Sequence, residues 1–201
     1  MKNSNGMDPY TVVFLGRSGC GKGTQAKLLM EKLSAREHAR RIFHLETGVR
    51  FREFIRGEGY THELSNAIYS AGGIQPEFLV IWMWGGAFIE RLAADDHIVL
   101  DGTPRKFHEA HVLDSAFKFY GRKRPVIIHL NVRRDWAEER LLARRRSDDT
   151  AKDIKARLDW YETDVAPVVE FYRTNPEYHF ADISGERSIG EVHADILKNL
   201  E

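Results

Sequence analysis

Two rhythms of apolar and polar residues alternate along this chain. Short apolar runs, rich in β-branched residues, occur at Tyr10–Leu15 (YTVVFL), Arg41–Leu45, His97–Leu100 (HIVL), Pro125–Val132 (PVIIHLNV) and Phe180–Ile183, and each reads as a buried strand. Between them the apolar residues recur every three or four positions, the spacing of one helix face. This holds for Ala26, Leu29, Met30 and Leu33, for Ala110, Leu113, Phe117 and Tyr120, for Trp136 to about Arg144, and for Ile189 to Leu200. The longest stripe is Ile154, Leu158, Tyr161, Val165, Val168 and Tyr172, and Pro167 inside it predicts a kink. Pro76 is placed to open a helix running to about Ala94, in which Phe78, Trp82, Met83, Trp84 and Phe88 read as core. Phe51 to Ala71 has helical spacing broken by Gly57 and Gly59 and ended by Gly72-Gly73, which makes residues 48–74 the one plausible insert. Five strands alternating with helices predict an α/β fold: a parallel sheet covered on both faces, in a single domain over residues 1–201.

Composition narrows the class. The chain has 201 residues, 42% of them apolar and 30% charged, enough to bury a core and unlike a disordered segment. Lysine plus arginine and aspartate plus glutamate number 30 each, so charge does not point to nucleic acid or a membrane as the partner. Arginines outnumber lysines two to one, which matters only if they converge. The single cysteine excludes an intramolecular disulfide and suits a reducing compartment. MKNSNGMDPY has no apolar core of the kind that directs export, and the densest apolar stretch, Ile81 to Ile89, is too short to span a bilayer. The expectation is a cytoplasmic protein.

The chemistry begins at Gly16-Arg17-Ser18-Gly19-Cys20-Gly21-Lys22-Gly23-Thr24, between the first strand and the first helix. Glycines let the backbone turn tightly and aim successive N–H groups at an anion, and the helix N-terminus adds its positive end. Lys22 supplies a mobile cation for the outer phosphates. The usual phosphate loop has Ser or Thr directly after the lysine; here Gly23 intervenes and Thr24 carries the hydroxyl. Asp101, closing the HIVL strand, can hold Mg²⁺ directly or through water, although an Asp before Gly also starts ordinary turns. His44, His97, His108, His111, His129, His179 and His193 show no metal-ligand spacing coupled to Cys or Asp. Cys20 reads as a passive loop residue.

Gly16 to Gln25, with its Gly-Lys-Gly-Thr-Gln ending, resembles the adenylate kinases and their nucleoside monophosphate kinase relatives. Three later segments resemble the family in order: Thr47-Gly48 continued to Arg52, Asp101-Gly102-Thr103-Pro104-Arg105, and Arg146-Ser147-Asp148-Asp149 followed by Arg157-Leu158. The resemblance runs from Tyr10 to about Leu200 and implies a three-layer phosphate-loop kinase fold with a five-stranded parallel sheet. It implies transfer of the γ-phosphoryl group of Mg·ATP to a nucleoside monophosphate, AMP first, by a monomer.

The same resemblance implies the roles of individual residues. Lys22, Arg105, Arg146, Arg157 and Asp101 would be catalytic. Gly16, Ser18, Gly19, Cys20, Gly21, Lys22, Gly23, Thr24, Arg140, Arg144 and Arg187 would bind ATP, with Asp101 and Thr24 toward Mg²⁺. Thr47, Gly48, Arg52, Gln75, Gly102, Arg105 and Glu109 would bind the acceptor, with residues 48–74 as its helical flap. Arg157 also sits four residues after Asp153 and eight after Asp149, the pattern of a surface ion-pair ladder.

Four departures bear on substrate and solvent. Val49 stands where the family carries Asp, and Thr103 where it carries Phe. Glu109 stands where AMP-specific members carry Gln, and an ionised carboxylate only accepts hydrogen bonds, which opens the cytosine- and guanine-type acceptors. Arg144, Arg145 and Arg146 are consecutive, so the lid is reduced to a vestige at residues 144–148 and ATP hydrolysis without acceptor is expected. The competing expectations are a kinase for another monophosphate or a small metabolite, and a nucleotide-binding sensor with feeble catalysis.

Overall fold

The computed structural model describes residues 8–36, 40–144 and 150–200. Five strands, β1 (Thr11–Gly16), β2 (Ile42–Glu46), β3 (His97–Asp101), β4 (Val126–Asn131) and β5 (His179–Ser184), form one parallel sheet in the order β2-β3-β1-β4-β5. All five strand expectations hold to within a residue or two at each end. β1 and β3 are buried almost throughout, and both read as unbroken apolar runs because both faces of the sheet are covered.

The helices are α1 (Lys22–Arg36), α2 (Thr47–Phe54), α3 (Tyr60–Ser70), α4 (Glu77–Arg91), α5 (Phe107–Phe119), α6 (Arg134–Arg144), α7 (Ala151–Trp160), α8 (Ala166–Thr174) and α9 (Ile189–Lys198). They divide the core in two. Val13 and Leu15 of β1 face α4, α5 and α8, in a cluster that includes Trp84, Phe88, Leu113 and Tyr172. Val12 and Phe14 face the other way, toward Leu29 of α1, Leu141 of α6, Leu158 of α7 and Ile196 of α9. The strand period of two thus feeds both layers.

Several boundaries shift for visible reasons. The insert's first helix starts at Thr47, straight from β2, so the Thr-Gly pair lies inside a helix rather than ahead of it. Pro76 is the residue before α4, and α4 stops at Arg91. The kink expected at Pro167 is a π turn over Tyr161–Val165, between α7 and α8, and the proline sits harmlessly in the first turn of α8. The core assignment in α4 is half corrected. Met83, Trp84 and Phe88 are buried, whereas Phe78 is 68% and Trp82 59% exposed. α4 carries apolar side chains on more than one face, so periodicity alone did not say which face met the sheet.

The chain crosses from one side of β1 to the other between β3 and β4, so the order reverses around the central strand. The crevice outside the carboxyl ends of the strands at such a reversal is where open α/β sheets bind ligands. The ends of β1 and β3 carry the glycine loop and Asp101 to that crevice.

Candidate active site

The loop after β1 is packed too closely for side chains at two of its glycines. A Cβ at Gly16 (φ +142°) would lie 2.5 Å from the Leu130 carbonyl oxygen of β4. One at Gly19 (φ +87°) would lie 2.8 Å from the Ala137 carbonyl oxygen of α6. These contacts bind the loop to the neighbouring strand and to the helix that carries Arg140 and Arg144. The Lys22 ammonium folds back over the loop and donates to the carbonyls of Gly16 (2.8 Å) and Arg17 (2.9 Å). That is a resting position for a cation whose other partner would be a polyphosphate.

In front of the loop lies an open cleft of about 930 Å³. One wall holds Ser18, Gly19, Gly21, Lys22, Gly23 and Thr24, with Arg140 and Arg144 of α6 beside them. Gly48, Arg52 and Gln75 from the insert region also line the cleft, as do Asp101, Gly102 and Arg105. Arg157 of α7 faces the same space, its Nε donating to the Asp153 carbonyl at 3.2 Å. The arginines therefore do converge, and forked guanidinium donors suit phosphate oxygens.

Asp101 is buried at the end of β3, next to Gly23: a Cβ on that glycine would lie 3.4 Å from its Oδ2. Burial pushes its carboxyl above the ordinary range; Lys22 pulls it down, Glu46 pushes it up, and Arg105 pulls it down again. A buried carboxylate and a threonine hydroxyl lining the same cleft are hard oxygen donors, which fits Mg²⁺. Among the described residues no group of three or more His, Cys, Asp or Glu gathers as a metal site. Arg105 is held by its Nε donating to the Gly102 carbonyl (2.8 Å) and by the Trp160 ring, 5.3 Å below its guanidinium carbon. Burial lowers its affinity for the proton, offset by Glu109 and Asp101, and it remains a cation. Arg52 is paired with Glu46 at 3.5 Å.

Some expected residues lie elsewhere. Glu109 does not line the cleft: it is fully buried on α5, and its Oε2 accepts the Arg105 backbone N–H at 2.8 Å. Burial also pushes its carboxyl up, against that hydrogen bond and the Arg105 charge. It therefore shapes the turn that carries Arg105. Arg187 pairs with Asp195 on α9, away from the cleft lining. Gly16, Cys20 and Thr47 are not part of the lining, and Cys20 and Thr47 are buried. Gln75 reaches the cleft, but its side-chain amide is spent on Ser65, accepting from the hydroxyl (2.8 Å) and donating to the carbonyl (3.0 Å). Arg146, Asp148, Asp149 and nearly all of the expected lid lie outside the described residues.

Sequence reasoning missed Glu46, Phe51, Tyr69 and Trp160, all in the lining. Trp160 carried a usable signal, since it sits three residues after Arg157 on one helix face.

The adenylate kinase family profile matches residues 14–177. The chain belongs to the adenylate kinase family. It is similar to the adenylate kinase of Corynebacterium glutamicum strain R, 33% identical over 190 residues that cover 94% of this chain and 98% of that one. It is 34% identical to the adenylate kinase of Corynebacterium diphtheriae over 92% of this chain and 96% of the other. A third relative, adenylate kinase 1 of a Nostoc species, is 30% identical over 94% and 97% of the two chains. This chain is a phosphotransferase of the nucleoside monophosphate kinase type, with the fold that the sequence implied.

Proposed function

We propose that this adenylate kinase family member transfers the γ-phosphoryl group of Mg·ATP to AMP, acting as a monomer in the cytoplasm. The observation that carries the reading is one cleft in which the glycine loop, Asp101, Arg105, Arg52, Arg140, Arg144 and Arg157 all meet. Phosphoryl transfer asks the protein for alignment and charge stabilisation, and little covalent chemistry.

In this reading the loop N–H groups hold the donor β-phosphate, and Lys22 leaves the carbonyls of Gly16 and Arg17 to bridge donor and moving phosphoryl group. Asp101 and Thr24 would hold Mg²⁺, which would neutralise charge on the phosphate oxygens. Arg52 and Arg105 take the acceptor phosphate from two sides. Arg140 and Arg144, four residues apart on one face of α6, take the donor. Arg157 serves the transferred group, and Arg146 joins it on the strength of its motif. Residues 48–74 form the acceptor flap, with α2 and α3 as its body. Glu109 supports the turn that carries Arg105, its Oε2 accepting the Arg105 backbone N–H.

The test is a product assay with Mg·ATP and AMP, CMP, UMP, GMP or dTMP as acceptor, with an acceptor-free control. ADP formation should be fastest with AMP, with slow ATP hydrolysis in the control because residues 144–148 are too few to exclude water. Lys22→Ala should lose transfer by orders of magnitude and keep its fold. Preference for another monophosphate would move the acceptor assignment; activity surviving Lys22→Ala nearly intact would move the site.

A further inference from the structure

Arg17 has no role in the reading above, because its side chain points away from the cleft. It is 16% exposed and makes three contacts at once. One guanidinium nitrogen donates to the Val132 carbonyl just after β4, at 2.9 Å. The other donates to Glu162 Oε1 at 2.6 Å. The guanidinium carbon lies 4.3 Å from the centre of the Tyr161 ring. Glu162 and Tyr161 open the π turn that follows α7.

That turn is fixed on its far side as well. The Tyr161 hydroxyl is 2.9 Å from His129 Nε2 on β4, and His129 Nδ1 is 2.9 Å from Asp182 Oδ1 on β5. A π turn adds a residue to the helical path and so changes the direction in which the preceding helix points. The helix in question is α7, which brings Arg157 and Trp160 to the cleft, with Trp160 under Arg105. Arg17 also offers its own carbonyl to the Lys22 ammonium. One residue thus touches Lys22 through its backbone and the root of α7 through its side chain.

We propose that Arg17 is a positioning residue: by gripping Tyr161 and Glu162 it locks the phosphate loop to α7, so that Lys22 on one side of the transferred phosphoryl group and Arg157 and Trp160 on the other are held in register. An isolated exposed ion pair would contribute little. Arg17 differs because a carbonyl, a carboxylate and a ring face are satisfied by one planar group, a geometry that lysine cannot reproduce. The inference rests on the kinase reading, since register matters only to a reaction that spans both walls.

The experiment compares wild type with Arg17→Met, Arg17→Lys, Glu162→Ala, Glu162→Gln and the Arg17→Met/Glu162→Ala double variant. It measures kcat, KM for ATP and AMP, and Tm. Small misplacements of reacting groups cost rate, so kcat should fall about tenfold or more in Arg17→Met, with both KM values within about threefold. Arg17→Lys should not restore it. Glu162→Ala should lose less, Glu162→Gln should recover most of that loss because its amide oxygen still accepts, and the double variant should be no worse than Arg17→Met. A kcat within about twofold of wild type in Arg17→Met, full rescue by lysine, or a loss confined to KM would overturn the proposal. If Arg17→Met does not fold, the Glu162 pair decides: unchanged kcat in Glu162→Ala overturns it, and a loss recovered by glutamine supports it. Wild type without transfer would sink the kinase reading and this proposal together; wild type with transfer and insensitive variants sinks only the latter.

Discussion

Asp101 is a carboxylate whose environment argues with itself. Burial at the end of β3 and the nearby Glu46 favour its protonated form, while Lys22 and Arg105 favour the anion, and burial wins. The consequence is a pH dependence. A carboxyl pushed above its ordinary 3.8 takes up its proton at higher pH than a free aspartate, and the protonated form cannot serve Mg²⁺ as an anionic ligand. The acid limb of kcat/KM for Mg·ATP should therefore lie at higher pH than that of a free aspartate, and excess Mg²⁺, which competes with the proton, should shift it downward. A limb at the ordinary aspartate position, insensitive to Mg²⁺, would remove Asp101 from the metal. Glu109 shows the same burial effect with a different use. Its residue type suggested base recognition, and its place on the inner face of α5 made it a support for the Arg105 turn.

At the scale of elements, the loop and α6 are joined where there is no room for a side chain. Gly19 lies against the Ala137 carbonyl and the Leu141 side chain, whereas Gly21, also at positive φ (+98°), has nothing within 4 Å of an added Cβ. The two glycines separate backbone strain from close approach. Gly21→Ala should suffer the conformational cost alone, on the order of 1 kcal/mol or somewhat more. Gly19→Ala should suffer that cost and also push α6 off the loop, carrying Arg140 and Arg144 with it. Urea unfolding should show the larger loss for Gly19→Ala, because only there does an added Cβ meet neighbouring atoms. Equal effects at both positions would mean that the α6 contact is not what fixes the donor wall. The break between α7 and α8 was visible in the sequence only as a proline. The structure puts it before that proline, as a π turn held by Arg17 and His129.

The whole molecule depends on a sheet covered on both faces, and polar groups inside it carry a pH cost. His129 on β4 is buried between Asp182 and Tyr161. Burial lowers its proton affinity more than Asp182 raises it. A histidine with a depressed pKa in the fold contributes stability that is complete above its ordinary value of 6.5 and is lost as pH falls toward the folded value. His193 on α9 acts in the same direction. Asp101 and Glu109, whose pKa values are raised, act oppositely, so a variant is needed to isolate the histidine. The urea midpoint of wild type relative to His129→Gln should therefore fall between pH 7.5 and 5.5. A difference independent of pH would show that His129 does not titrate with folding.

Much of this protein was legible in one dimension. A parallel sheet buried on both faces demands continuous apolar strands, and a phosphate loop demands glycines and a lysine between a strand and a helix; both demands are local, so YTVVFL followed by Gly16 to Thr24 announced them. Gly16 to Gln25, Thr47 to Arg52, Asp101 to Arg105 and Arg146 to Asp149 with Arg157-Leu158 carried the resemblance to the family. Only the tertiary structure decided which faces those residues present. It turned Phe78 and Trp82 out of the core, drew Glu109 away from the cleft and set Trp160 beneath Arg105. It also joined Arg17 to Glu162 across 145 positions of sequence. Periodicity assigns a residue to a helix or a strand, but the crossing of the chain between sheet edges decides what lies opposite, and no local pattern encodes that.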